Sequence, residues 1–302
     1  MSIVVTGATG RLGGFAVDAL IERGVDPSEI VAGGRKPERL AELAGRGIRT
    51  AAIDFEDPQS LRSAFQGAQK LLLVSVRGNA RRLPQHRNAI EAAKASGIQL
   101  MAYTGYAHAD ISTMHPEHYQ TERLALESGV PAVVLRNPPY FEFRTSWIPT
   151  WREQAKILGA AKDGRMSSAS VVDLADAAAA ILTSEGHEGA VYELGGEVPY
   201  TMTEFAAELS GQTGEDIPYV NLSLEEFRAS LISAGFHEVV ANSLTNVERC
   251  MADGELQNDT GDLGRLRGRP STTLAEAIAH ALRSPSSGPS LPPIRPPEQA
   301  AR

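Results

Sequence analysis

The chain has 302 residues and a formal net charge of −8, which excludes nucleic acid and anionic membrane surfaces as its main partners. The length allows one large or two modest domains with a sizeable core, and no apolar run is long enough to span a bilayer. The one cysteine, Cys250, cannot form an internal disulfide; with no signal peptide, this sets the expectation of a reducing cytoplasm, with Cys250 as a small buried hydrophobe.

Ile3, Val4 and Val5 read as a short buried strand. It runs into Gly7-x-x-Gly10-x-x-Gly13 and then a helix. Glycines let the backbone approach a pyrophosphate closely, and the N–H groups at the helix start point at it. Strand, glycine turn and helix in that order predict dinucleotide binding. Leu12, Phe15, Ala16, Ala19 and Leu20 fall on one face of this helix, which ends at Gly24. Ile30 to Ala32 is a second strand closing at Gly33-Gly34-Arg35-Lys36, and Pro37 opens a helix to about Ala44. Ile48 to Ile53 is a third strand, and Asp57-Pro58 cap the next helix. Leu71 to Val76 is a nearly continuous apolar run, as a central parallel strand requires. A helix from Pro84 to Ser96, a strand from Ile98 to Tyr103, a helix from Pro116 to Ser128 and a strand from Ala132 to Arg136 follow.

This alternation predicts an α/β fold: a Rossmann-type doubly wound parallel sheet with helices on both faces. Ligands of such sheets sit at the carboxyl ends of the strands. That rule selects Gly7 to Gly13, Gly33 to Lys36, Asp54-Phe55, Ser75 to Arg77, Tyr103 to Tyr106 and Asn137 to Tyr140. After Tyr140 the character changes. Phe141, Phe143, Trp147, Ile148, Trp151 and Ile157 form an aromatic-rich, partly helical piece. Val171 to Thr183 is an Ala-rich helix and Val191 to Leu194 one more strand. Capping boxes at Thr201/Glu204, Ser223/Glu226 and Thr273/Glu276 mark helices in a smaller, mainly helical C-terminal portion. The expected division is residues 1–140 with 166–196 as the dinucleotide domain, and 141–165 with 197–284 as the smaller portion. Residues 285–302 form a Pro- and Ser-rich tail expected to be disordered.

Folds of this kind that prefer NAD carry an acid at the end of the second strand. Here Arg35 and Lys36 stand there instead, which points to NADPH, with a 2′-phosphate gripped by Arg35 and NADH as the weaker alternative. Expected at the cofactor are Gly7, Thr9, Gly10, Arg11 and Leu12 on the turn, with Arg35, Asp54, Phe55, Ser75, Asn137, Pro139 and Tyr140 at the later strand ends. Candidates at the reacting end are His118, Tyr103 and Thr104, the last as a hydroxyl that orients substrate. Tyr119-x-x-x-Arg123 is the nearest imitation of a Tyr-x-x-x-Lys pair, but arginine stays protonated and does not replace lysine. His118 reads either as a proton donor or as a histidine hydrogen-bonded to Glu122 one helical turn on. Tyr140, Phe141, Phe143, Trp147 and Trp151 read either as a flat wall for an aromatic substrate or as a core joining the two portions. His115, His118 and Glu122 lack the further ligands a metal site needs, and no metal is expected.

Several pieces together resemble the NmrA-like group of atypical short-chain dehydrogenases. Within it they resemble the branch of bacterial NAD(P)H:quinone oxidoreductases of type 2 and triphenylmethane reductase. The pieces are Val5-Thr-Gly-Ala-Thr-Gly10, Pro84-Gln-His-Arg-Asn88, Ala102-Tyr-Thr-Gly-Tyr-Ala107, His118 with Thr121-Glu122, Leu135-Arg-Asn137, Gly186-His-Glu-Gly189 and Thr272-Thr-Leu-Ala-Glu276. The resemblance implies NADPH held on Gly7 to Leu12 and Arg35, and a substrate cleft between the sheet domain and the C-terminal portion. Members usually have Val-Arg-Asn where this chain has Gly-Gly-Arg-Lys, which keeps the arginine and changes its surroundings. The expected activity is hydride transfer from NADPH to a quinone or similar flat aromatic acceptor, without flavin. The alternative is a non-catalytic NADP(H)-binding redox sensor acting through a protein partner. The sequence leaves monomer or homodimer, and the physiological acceptor, open.

Overall fold

The computed structural model of the chain describes residues 1–76, 81–112 and 115–284. The elements in chain order are β1 (Ile3–Val5), α1 (Arg11–Glu22), β2 (Ile30–Gly34), α2 (Pro37–Ala44), β3 (Arg49–Ala52), α3 (Pro58–Phe65), β4 (Lys70–Leu73), α4 (Arg82–Ala95), β5 (Leu100–Tyr106), α5 (Pro116–Leu126) and β6 (Ala132–Asn137). There follow α6 (Phe141–Thr145), α7 (Ile148–Gln154), β7 (Ile157–Gly159), α8 (Val171–Thr183), β8 (Val191–Glu193), α9 (Met202–Thr213), β9 (Tyr219–Asn221), α10 (Leu224–Ser233), α11 (Glu238–Ala252), α12 (Asp262–Arg267) and α13 (Leu274–Arg283).

Seven strands form one parallel sheet in the order β3-β2-β1-β4-β5-β6-β8. The order reverses between β1 and β4, so the chain winds to one side and then the other and leaves a crevice at that switch point. The inner strands are buried along their length, because helices cover both faces of a parallel sheet. A core of Leu61, Phe65, Leu71, Leu73, Ile90, Met101 and Val134 fills one side. Helix α1 buries Leu12, Gly13, Ala16, Val17, Ala19 and Leu20. Phe15, expected on that face, is 38% exposed; the buried stripe runs instead through Gly13 and Val17.

The chain divides into two compact units. Among the described residues, one comprises those of 1–137, 171–194 and 262–270, and the other those of 138–170, 195–261 and 271–284. Four pieces differ from the division expected from sequence: 138–140, 166–170 and 195–196 fall in the second unit, and 262–270 in the first. Residues 166–170 belong to the second unit, where Met166 bridges Tyr200. Residues 262–270 belong to the first, because α12 packs on α8 and Arg267 pairs with both Asp173 and Asp176 of that helix. The second unit is helical except for a two-stranded parallel ladder, β7 with β9, which the aromatic-rich sequence did not reveal. All three capping boxes form, at α9, α10 and α13. The expected tail, 285–302, lies outside the described residues. Among the described residues, no helix is long and apolar enough to cross a membrane.

Candidate functional site

The turn after β1 is built as the glycine spacing requires. Gly7 has φ +64°, a left-handed conformation that glycine adopts without strain. The Gly10 N–H donates to the Gly7 carbonyl over 2.8 Å, which closes the turn. A Cβ on Gly13 would stand 2.4 Å from that same carbonyl oxygen, so α1 approaches the turn as closely as backbone allows. Gly7 lies against Val74 just past β4, and the Ala8 N–H donates to the Gly33 carbonyl of β2. The turn is thus set at the switch point between β2 and β4. Among the described residues no side chain caps the start of α1, and its first turn carries no acid, which leaves the positive helix end open to an anion.

Around this cradle, Arg35 and Lys36 are exposed beyond β2 and Arg11 is exposed at the helix start. Asp54 is exposed beyond β3, with its carboxylate accepting from the Glu56 N–H. Phe55 beside it is half-buried, and its carbonyl accepts from Asn88. Asn137 ends β6, 5% exposed, and its Oδ1 has no hydrogen-bond partner among the described residues. A buried carbonyl oxygen without a donor is uncommon. The cradle that a Cβ would fill and this orphaned acceptor both fit a dinucleotide. Pro139 and Tyr140, also expected at the cofactor, belong to the second unit, where Tyr140 bridges Ala169. Of the exit Ser75 to Arg77, Arg77 lies outside the described residues.

Strand β5 continues to Tyr106, three residues beyond the expected end at Tyr103, so Thr104 lies inside it rather than past its end. Tyr103 is fully buried and its hydroxyl shares a hydrogen bond of 3.0 Å with His118 Nδ1 on α5. Burial pushes the Tyr103 phenol above its ordinary range. Burial, aided by the Arg82 charge and by His115 and His86, drives His118 down to about 2. The pair is therefore neutral across the physiological range. Glu122, offered above as the partner of His118, instead grips Arg136 of β6 through both carboxylate oxygens. Thr104 is 3% exposed, and its hydroxyl accepts the Ser75 N–H over 2.9 Å. The substrate-orienting hydroxyl expected from sequence is thus engaged in holding the end of β4. Tyr119 is 38% exposed, and Arg123 pairs with Glu127 on the surface of α5.

Sequence reasoning assigned no role to Thr6, Arg82 or His86, all buried around the end of β4. His86 stood inside a recognised motif, but nothing local distinguishes it from a surface histidine. Of the aromatic residues after β6, Tyr140 and Phe143 are half-buried and the other three are buried. Phe141, Trp147 and Trp151 are at most 6% exposed, with Phe141 stacked on Tyr200 and Trp151 edge-on to Phe205 within the second unit. Among the described residues, no group of three or more His, Cys, Asp or Glu side chains could hold a metal ion. Cys250 is buried, and burial pushes its thiol up to about 12.

A family model described as NAD(P)H-binding matches residues 7–185, more than half the chain and all of the cradle. The chain belongs to this NAD(P)H-binding family. Quinone oxidoreductase 2 of Escherichia coli (strain K12) is 42% identical over 280 residues, 92% of this chain and 98% of that protein. The crystal structure of an NADPH-dependent quinone oxidoreductase from Escherichia coli in complex with NADPH superposes with a TM-score of 0.89 at 41% identity, covering 93% of this chain and 99% of the other. The triphenylmethane reductase of Citrobacter sp. in complex with NADP(H) gives a TM-score of 0.88 at 34% identity over 93% and 100% of the two chains. The two-sided parallel sheet and the cradle are therefore the family's fold, present here along almost its full length.

Proposed function

We propose that the chain is an NADPH-dependent reductase that passes hydride to a quinone or a similar flat conjugated acceptor, without flavin. The observation that carries this reading is the glycine cradle joined to a second strand that ends in Arg35 and Lys36 with no acid, in a chain 42% identical to a quinone oxidoreductase. NADPH bound there supplies the hydride. The chain's own part is to bind and orient. The first-turn N–H groups of α1 take the pyrophosphate, Arg35 takes the 2′-phosphate, and Asp54 and Phe55 flank the adenine. Ser75 and Asn137 border the nicotinamide end.

Little acid catalysis is needed. Reduction of a quinone yields an aromatic hydroquinone anion, so holding the acceptor against the cofactor accounts for most of the rate. The Tyr103–His118 pair is neutral at working pH and serves as a hydrogen-bond donor at the reacting end, with water as the net proton source. The test is oxidation of NADPH by purified protein with benzoquinone and a panel of quinones and dyes. Steady acceptor-dependent oxidation is expected. Tight NADPH binding with no turnover on any acceptor would overturn the enzyme reading and leave an NADP(H)-binding redox sensor.

A further inference from the structure

The backbone leaves the ladder of β4 at Leu73, and side chains from the turn after β1, from β5 and from α4 take its next three N–H groups. Val74 donates to Thr6 Oγ1 over 2.9 Å, Ser75 to Thr104 Oγ1 over 2.9 Å, and Val76 to His86 Nε2 over 3.1 Å. The Val76 carbonyl accepts from Arg82 Nε over 3.2 Å, so α4 grips both backbone groups of this residue. His86 is fully buried and Arg82 nearly so.

The hydrogen bonds fix the tautomer of His86. A backbone N–H can only donate, so Nε2 is bare and the ring proton sits on Nδ1. Nδ1 donates to Thr121 Oγ1 over 3.1 Å, and that hydroxyl donates on to the Glu117 carbonyl. Arg82 pairs with the Glu117 carboxylate. Both contacts reach α5, the helix that carries His118. The His86 ring also stands edge-on to Tyr103, with centroids 5.5 Å apart. One buried imidazole therefore joins the end of β4, α4, α5 and the Tyr103–His118 pair. Burying an imidazole and a guanidinium is costly, and apolar side chains would fill the same space more cheaply. The polar arrangement makes sense where the strand end must hold one shape. The end of β4 is such a place, since Val74 lies within 3.5 Å of the position a Gly7 Cβ would take in the phosphate cradle.

We propose that His86 is a positioning residue of the cofactor site, holding Val76 in place at the end of β4 beside the cradle and keeping that edge in register with His118. The proposal rests on reading this sheet edge as the NADPH site. His86→Phe keeps the ring and its edge contacts but removes both hydrogen bonds; His86→Gln restores one acceptor and one donor. The measurements are the Kd of NADPH from its fluorescence, the KM for NADPH and kcat with benzoquinone, and the melting temperature. His86→Phe should raise Kd and KM about tenfold, the worth of two buried hydrogen bonds, while His86→Gln stays within about threefold of wild type. If both variants melt earlier yet bind NADPH like wild type, His86 is merely structural and the proposal is overturned. Should His86→Phe fail to fold, Thr121→Val keeps the shape and removes the acceptor of Nδ1–H. It should raise the KM for NADPH about threefold, and an unchanged KM overturns the proposal. Wild-type protein that does not bind NADPH would instead overturn the reading of the site itself.

Discussion

At the scale of one residue, the proposed preference for NADPH turns on Arg35. It is exposed at the end of β2, where a carboxylate would face a ribose 2′-hydroxyl in an NAD-preferring protein. A guanidinium there meets a 2′-phosphate with paired N–H donors. Arg35→Ala should therefore weaken NADPH binding about tenfold to a hundredfold and leave NADH binding nearly unchanged, by the worth of a charge-assisted pair. Parallel titrations with the two cofactors check this, and equal losses would show that Arg35 does not read the phosphate. Arg35 could be singled out in the sequence as a candidate because that reading needs only its position past the end of one strand. His118 was legible only as a candidate. Its partner, Tyr103, lies fifteen residues away on a neighbouring strand, and helical spacing pointed to Glu122 instead.

The element that matters most is the turn from β1 into α1. Gly13 is required by contact rather than by conformation, since its missing side chain is what lets the helix touch the Gly7 carbonyl. Gly13→Ala should destabilise the protein by about 1–3 kcal/mol, the usual cost of forcing a methyl group into filled space, and should weaken NADPH binding as the helix is pushed off the turn. Gly14, next to it, is the control. A Cβ there would meet the Ala8 carbonyl at 3.4 Å, an ordinary contact, so Gly14→Ala should be neutral or stabilising by up to about 1 kcal/mol through helix propensity. Thermal melts and cofactor titrations of the pair check both statements. The spacing of the glycines announced this element fully. The extent of β5 was less legible, because Thr104-Gly105 reads as a break while in the sheet β5 pairs with β6 as far as Tyr106 and Asn137.

At the scale of the whole chain, a buried charge cluster brings a late segment back to the first unit. Asp176 of α8 receives Arg23 from the end of α1, and Arg267 and Arg269 from residues 262–270. Burial by itself raises the Asp176 carboxyl, but hydrogen bonds from Arg269, Arg23 and Arg267 outweigh it and hold the group below the usual carboxylate value. A folded-state value below the unfolded one gives stability that is complete above the unfolded carboxylate value. That stability is lost as pH falls through the folded value. Asp176→Asn should cost about 3 kcal/mol at neutral pH, as when one member of a buried pair is removed. The gap from wild type should close in acid. Urea unfolding at neutral and acidic pH checks the size and the sign.

The sequence alone determined the parallel α/β fold, the phosphate cradle and the cationic end of β2. Each of these is a local pattern, an apolar period or a spacing of a few residues, and local patterns survive without knowledge of the neighbours. Only the tertiary structure decided that His118 meets Tyr103, that His86 holds the end of β4, and that Phe141, Trp147 and Trp151 pack into the second unit's core. It also decided that 262–270 returns to the first unit. These depend on which strands lie side by side and which helix faces meet, and the physical reason is burial: a polar group removed from water takes whatever partner the fold brings within reach, wherever that partner lies in the chain.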